Sequence, residues 1–271
     1  MIVSDLDGTL ISEDHITITK RTIEALKRAS EQGIYLVIAS GRTLSVMKGI
    51  ISQLHKVDYA IVSNGAGIID VRSKKEIYNN GLQYKSLASI VRIIEEYDGN
   101  YEIYANGKSY MTQRAFDAYK KVDMSPEFIE KYRKMVNVIE GVEELKDEQI
   151  EKISILNISE TAREEIFQKL AQYPDVSLTT SLPGNNIEVN GSNVNKGKTL
   201  AVLCEMLGIK AEEVMVFGDS RNDVEMLEWG RWSFSMENGS YEAKRAAKFT
   251  TKSNGEDGVS FQVEKYLNKK E

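Results

Sequence analysis

Residues Ile34 to Ala39 (IYLVIA) form an unbroken apolar run of strand length. A strand with one wet face alternates polar and apolar side chains. A run with no polar side reads instead as a strand covered on both faces, as in a parallel sheet between two layers of helices. The flanking sequence supplies such helices. Thr19 or Thr17 can cap a helix to about Gln32 that carries Ile23, Leu26 and Ala29 on one face, with Gly33 as its stop. Ser40-Gly41-Arg42 leads into a second helix reaching about Leu54, and Tyr59 to Val62 gives another short buried strand ending at Ser63-Asn64-Gly65-Ala66. Ile2 and Val3 read as the end of the first such strand. This alternation predicts an α/β fold whose core is a doubly wound, parallel, Rossmann-like sheet.

From about Gly81 the grammar changes. Helical stretches (Gln83 to Glu96, Pro126 to Met135, Ala162 to Gln172) alternate with half-buried strands at Tyr101 to Tyr104, Ser109 to Thr112, Ile153 to Ile158 and Val176 to Thr180. Near Ile187 to Val189 the chain is expected to return to the first domain. Lys196 then opens a helix to about Leu207, Glu213 to Phe217 is a buried strand, and Gly218-Asp219-Ser220-Arg221-Asn222-Asp223 follows at once. A helix at Val224 to Trp229, a strand near Trp232 to Met236 and helices at Tyr241 to Ala247 and Val259 to Leu267 complete the reading. The division predicted is a core of residues 1–81 and 188–271 with an inserted α+β domain, 82–187, of about a hundred residues. The many tyrosines of the insert, and Trp229 and Trp232, are read as packing residues, and His15 and His55 as surface or loop residues.

Composition narrows the function. A chain of 271 residues with 41% hydrophobic and 28% charged residues has ample material for a core. Its net charge of −6 lacks the basic footprint of a general nucleic-acid binder. Cys204, the single cysteine, falls in a helical pattern with Leu200, Leu203 and Leu207 and reads as core filler in a reducing compartment. No basic region followed by an apolar stretch opens the sequence, and no apolar run approaches the roughly 20 residues of a membrane span. The expectation is a cytoplasmic protein without nucleic-acid or membrane partners, a monomer or weak homo-oligomer.

The chemistry concentrates where strands stop. Asp5 and Asp7 follow the first strand in DLDGT, and residues two apart in an extended segment point the same way. Gly8 permits a sharp turn, and Thr9 offers a hydroxyl to a carboxylate or a phosphoryl oxygen. Two close anions call for a cation, and oxygen-only ligands suit magnesium. In a parallel sheet the turns bearing Asp5 and Asp7, Ser40, Asn64, and Asp219, Asn222 and Asp223 would lie along one edge, where open α/β sheets bind ligands. Lys196 at a helix start could place an ammonium beside them. Such a set suits phosphoryl transfer, with a spare carboxylate as nucleophile. Taken singly, each piece has a plainer use: Asp-Leu-Asp-Gly as a turn, Ser40 as a helix cap, Lys196 as a solvated lysine, Asp219 and Asp223 as helix-start acids.

DLDGT, then Ser40-Gly41-Arg42, then Lys196, then GDSRND, in that order and each in that strand context, resembles the four motifs of the haloacid dehalogenase-like hydrolases. The similarity is to the Cof-type, sugar-phosphatase-like branch with a C2-type cap, and it extends to Ser63-Asn64-Gly65-Ala66, Asn195-Lys196-Gly197 and Glu256-Asp257-Gly258-Val259. The resemblance implies that Asp5 attacks phosphorus and that Asp7 protonates the leaving oxygen and then activates water, a residue that separates phosphatases from true dehalogenases. It implies Mg²⁺ held by the Asp5 carboxylate, the Asp7 backbone carbonyl and Asp219, with Asp223 in support. Ser40 would bind the transferring phosphoryl group and Lys196 would steady Asp5 and the phosphate. Thr9, Gly41, Arg42, Asn64 and Asn222 would lie around the substrate phosphate, with the cap closing over a small phosphorylated metabolite. Gly239 departs from the pattern, since a small alanine is commoner there. A phosphotransferase or mutase using the same aspartyl-phosphate, and a phospho-aspartate signalling module, remain as alternatives. No motif names the substrate, and the loop Ser181 to Asn186 is one candidate for setting it.

Overall fold

Alternate side chains of the central strands enter two separate cores, and this decides where the helices lie. The computed structural model describes every residue except 15, 120–131, 135, 157, 182–185 and 269–271. The chain divides into two units, Met1–Tyr78 with Asn195–Glu271, and Asn79–Val194. In the first unit, β1 (Ile2–Ser4), β2 (Leu36–Ala39) and β3 (Tyr59–Val62) pair in parallel. Ile2, Leu36, Ile38, Ala60 and Val62 pack with Leu26, Ala29, Met47, Ile51 and Val263. Val3, Val37, Ala39 and Ile61 pack with Leu200, Leu203, Cys204 and Leu227 on the other side. Helices Lys20–Glu31, Leu44–Ile51 and Gly258–Leu267 therefore cover one face, and Lys196–Leu207, Val224–Trp229 and Tyr241–Ala246 cover the other. Each fully buried aliphatic side chain contributes about 1.5–3 kcal/mol, so the two cores hold this sheet in place.

Local signals set the helix ends. The Thr19 hydroxyl accepts the Thr22 N–H at the start of the first helix. Gly208 closes Lys196–Leu207 in the left-handed conformation that glycine adopts without strain. Cys204 is buried, as its helical setting suggests, and burial pushes its thiol up to about 11.

The sheet is longer and less uniform than the sequence pattern suggests. β4 (Gly67–Asp70) turns back antiparallel to β3, and β5 (Lys75–Asn79) lies beyond it at the edge. β5 is mostly exposed and polar, so it reads as a loop in sequence. In the second unit β6 (Asn100–Ala105), β7 (Lys108–Thr112), β8 (Val136–Ile139), β9 (Ile150–Leu156), β10 (Val176–Ser181) and β11 (Asn186–Gly191) form a separate sheet in the order β10-β11-β9-β6-β7-β8. Tyr101, Ile103, Ile153, Ile155, Ile187 and Val189 pack with Leu87, Ile90, Ile94 and Ile166 from helices Tyr84–Glu96 and Glu160–Leu170.

One boundary needs correction. Ile187 to Val189 does not return to the first sheet, because β11 pairs antiparallel with β9 and β10. Its alternation Ile187-Glu188-Val189-Asn190 is the mark of a strand with two unlike faces, and the first unit resumes at Asn195 rather than residue 188, as it ends at Tyr78 rather than residue 81. The helix expected from Pro126 to Met135 falls mostly outside the described residues. So do His15 and most of the loop from Ser181 to Asn186, while His55 is exposed.

The chain then adds β12 (Met215–Gly218), β13 (Trp232–Ser235) and β14 (Phe249–Thr250), all parallel, to give the order β14-β13-β12-β1-β2-β3-β4-β5. Trp232 is not a core residue: it is 49% exposed and stacks on Phe249 at the sheet edge. Among the described residues no helix is long and apolar enough to cross a membrane.

Candidate active site

β12, β1, β2 and β3 are parallel neighbours, so their carboxyl ends lie along one edge. Strand growth runs outward from β1 in one direction through β2 and β3, and from β12 in the other through β13 and β14. The change of direction between β1 and β12 is a topological switch point, the place where such sheets open a crevice. Asp5 leaves β1 there, and its N–H donates to the Phe217 carbonyl of β12 at 3.0 Å. Asp219 follows β12 directly. Ser40 follows β2, and Ser63 and Asn64 follow β3.

Lys196 ties the edge together. Its Nζ donates to Asp5 Oδ1 and to Asp223 Oδ1, each at 2.7 Å, and Lys196 and Asp223 are fully buried while Asp5 is 4% exposed. Two local features put the ammonium there. Asn195 caps the helix by accepting the Lys198 N–H at 2.8 Å, so Lys196 is its first residue. At Gly197 a Cβ would stand 2.4 Å from the Glu225 carbonyl carbon, so only glycine lets this helix sit so close to Val224–Trp229.

One carboxylate oxygen each from Asp5, Asp219 and Asp223 lies within 4.8 Å of the others. Asp223 is engaged at both oxygens: Oδ1 accepts Lys196, and Oδ2 accepts the Asp219 N–H at 2.9 Å and the Ser220 N–H at 3.0 Å. Asp219 Oδ1 accepts the Thr9 hydroxyl at 2.8 Å. Asp5 Oδ2 and Asp219 Oδ2 are left without a donor among the described residues. Burial pushes the Asp5 carboxyl well above the usual range, Lys196 offsets part of this, and Asp223 and Asp219 add to the rise. Burial, and then Asp223, push Asp219 up to about 6 against the pull of Thr9 and Lys196. Burial works against the Lys196 ammonium, yet the Asp223 and Asp5 carboxylates together hold its pKa above the ordinary range. The cluster is short of positive charge.

A family model described as haloacid dehalogenase-like hydrolase matches residues 2–263. The chain is a haloacid dehalogenase-like hydrolase. It is 28% identical over 263 residues to the 5-amino-6-(5-phospho-D-ribitylamino)uracil phosphatase YcsE of Bacillus subtilis, covering 96% of this chain and 92% of that protein. It is 27% identical over 270 residues to the phosphatase of the same name, YbjI, of Escherichia coli, covering 98% and 96%. A haloacid dehalogenase-like hydrolase from Bacteroides thetaiotaomicron superposes with a TM-score of 0.84 at 25% identity, covering 98% of both chains. These likenesses agree with a phosphoric monoester hydrolase.

In this haloacid dehalogenase-like hydrolase the remaining sequence candidates fall into two groups. Ser40 is buried and its Oγ accepts the Arg42 N–H at 3.2 Å, which leaves its own proton free to be donated. Asn64, at φ 61, accepts the Asn222 Nδ2 at 3.0 Å. A Cβ at Gly41 would stand 2.8 Å from Asn64 Oδ1, so these residues pack as one wall. Thr9 and Arg42 each contact an acid of the site. The Thr9 hydroxyl is committed to Asp219, and the Arg42 guanidinium forks onto the Asp7 carboxylate. The Asp7 side chain is accordingly not among the clustered carboxylates.

Residues outside the motifs complete the frame. Asn238 Nδ2 donates to the Gly8 carbonyl at 2.8 Å, and Gly8 takes φ 74 with Asp219 Oδ2 only 2.5 Å from where a Cβ would be. At Gly239 a Cβ would stand 2.8 Å from the Met236 carbonyl and 3.1 Å from that of Asp219, so the departure from alanine fits a tighter loop. The sequence signal for these contacts is only the presence of small residues beside acids.

Proposed function

We propose that this hydrolase is a Mg²⁺-dependent phosphatase that removes a phosphoryl group from a small metabolite through an aspartyl-phosphate on Asp5. The observation that carries the reading is the Asp5 carboxylate, with one oxygen held by Lys196, the other without a donor among the described residues, and the Asp219 carboxylate close by. One oxygen of the Asp5 carboxylate forms a bond to phosphorus while the ester P–O bond breaks, and Asp7 gives a proton to the leaving oxygen. Asp7 then takes a proton from water as the water oxygen bonds to phosphorus and the Asp5–phosphorus bond breaks. Phosphate leaves and the Asp5 carboxylate is restored. Ser40 donates its hydroxyl proton to a phosphoryl oxygen, and Lys196 balances charge on Asp5 throughout.

The donor set fits magnesium, being oxygen-only, with open oxygens on Asp5 and Asp219 and unrelieved negative charge. Asp5, Asp219 and the Asp7 backbone carbonyl would hold the ion, with Asp223 fixing the Asp219 loop rather than contributing a free oxygen. When bound, the ion supplies positive charge that offsets the charge on the phosphoryl oxygens.

The second unit, Asn79–Val194, is proposed to select the leaving group, since the first-unit cluster holds only groups suited to phosphate, metal and protons. A primary phosphate on a sugar or polyol is the class favoured, because several relatives are named 5-amino-6-(5-phospho-D-ribitylamino)uracil phosphatase. The test is phosphate release from a panel of sugar and polyol phosphates. Many equivalents per enzyme are expected, ceasing on chelation and returning with added Mg²⁺. Release of at most one equivalent, or a rate indifferent to chelator, would refute the proposal.

Acidity gives a second prediction. Asp219 at about 6 lies above its unfolded value of about 3.9, so between these the folded state binds more protons. Stability is then fully present below the lower value and is lost as pH rises through the higher one. A cation at these oxygens replaces the protons. The rise in Tm on adding Mg²⁺ is therefore expected to be larger at about pH 7.5 than at about pH 5. A rise equal at both, or larger in acid, would contradict the assigned ligands.

A further inference from the structure

Arg42 reaches Asp7 rather than the buried carboxylates. Its Nε donates to Asp7 Oδ2 at 2.8 Å and its Nη2 donates to Asp7 Oδ1. A two-pronged contact fixes the plane of the carboxylate as well as its position, which one hydrogen bond cannot do. Both residues hang from pinned backbone. The Arg42 N–H is held by Ser40 Oγ at 3.2 Å, and its carbonyl accepts the Ser63 N–H at 3.1 Å. Asp7 precedes Gly8, whose carbonyl is held by Asn238.

The pair is only partly buried, the side chains being 26% exposed for Arg42 and 43% for Asp7. Exposed ion pairs stabilise a fold by about 1 kcal/mol or less, so the consequence of this one lies in direction rather than stability. An ionised carboxylate has about four acceptor positions, and the fork occupies only some of them. Room remains for a proton in transit.

We propose that Arg42 is a positioning residue for Asp7: it aims the Asp7 carboxyl at the leaving oxygen and does not serve as a ligand of the transferring phosphoryl group. This rests on the reading of Asp7 as the proton donor. In the step concerned, Asp5 bonds to phosphorus, the ester P–O bond breaks with its electron pair on the leaving oxygen, and the Asp7 proton moves to that oxygen. Without the fork the carboxyl samples other directions, and in the steps that kcat/KM covers the loss falls on esters whose leaving oxygen needs that proton.

The test compares kcat/KM, which covers the steps through aspartyl-phosphate formation, for 4-nitrophenyl phosphate and phenyl phosphate. The first has a leaving oxygen that departs readily unprotonated, and the second does not. In Arg42→Ala the loss on phenyl phosphate is expected to exceed that on 4-nitrophenyl phosphate by at least about tenfold. Arg42→Lys keeps the charge without the fork and should show the same selectivity, whatever the folding of the alanine variant. Asp7→Asn should show it too, and adding Arg42→Ala to Asp7→Asn should remove no further selectivity. Equal losses on both esters in the Arg42 variants, or a loss carried by KM, would make Arg42 a phosphoryl ligand and overturn the proposal. Equal losses in Asp7→Asn would instead overturn the assignment of Asp7, and the proposal with it.

Discussion

Asp5→Asn is expected to lower turnover by a factor on the order of 10⁴ or more while the protein melts no earlier than the unaltered chain. An amide is too poor a nucleophile to accept the phosphoryl group, so the chemistry goes. The fold stays because the Asn oxygen can still accept Lys196, and the substitution removes a buried negative charge that Asp219 and Asp223 oppose. Sites that gather like charges give up stability for function, and relieving them often stabilises a protein. Steady-state phosphate release and a thermal melt check the two halves. Appreciable turnover in this variant, or a large fall in Tm, would show that Asp5 serves the fold rather than the reaction.

Lys196→Met is expected to act in the opposite sense on stability. The Lys196 ammonium is the buried donor common to Asp5 and Asp223. Removing one partner of a buried ionic group leaves the others uncompensated, at a cost of roughly 3–5 kcal/mol. Activity should also fall by about 10²–10³, the range seen when one donor at a charged transition state is lost. The destabilisation should shrink in acid, as a proton on Asp5 replaces the missing cation. Denaturant melts of both proteins at neutral and acid pH measure this. A variant as stable as the parent at neutral pH would mean that the three side chains are not packed together as described.

The strands, their order in the chain and the acids that follow them could be read in advance because a strand buried on both faces has a distinctive sequence. Met215–Gly218 and Tyr59–Val62 each form such a strand and stop at a polar or glycine turn. Elements without that signature are not legible in this way: β5 is polar, β14 has two residues, and β11 shows at Ile187 to Val189 while its sheet is told only by its pairing with β9. Within the site, residue type indicated the chemistry but not the partner. Asp7 and Arg42 are 35 residues apart, and nothing local links them. Thr9 is likewise close to Asp219 only because β1 and β12 are neighbours. Long-range pairing is a property of the sheet order.

The central claim is that Asp5 itself carries the phosphoryl group. Acid quench of the enzyme during turnover, followed by borohydride reduction and peptide mass spectrometry, tests it directly. The prediction is a reduced aspartate at position 5 and at no other acidic residue. Reduction at Asp7, Asp219 or Asp223 instead, or at no residue while phosphate is being released, would contradict it.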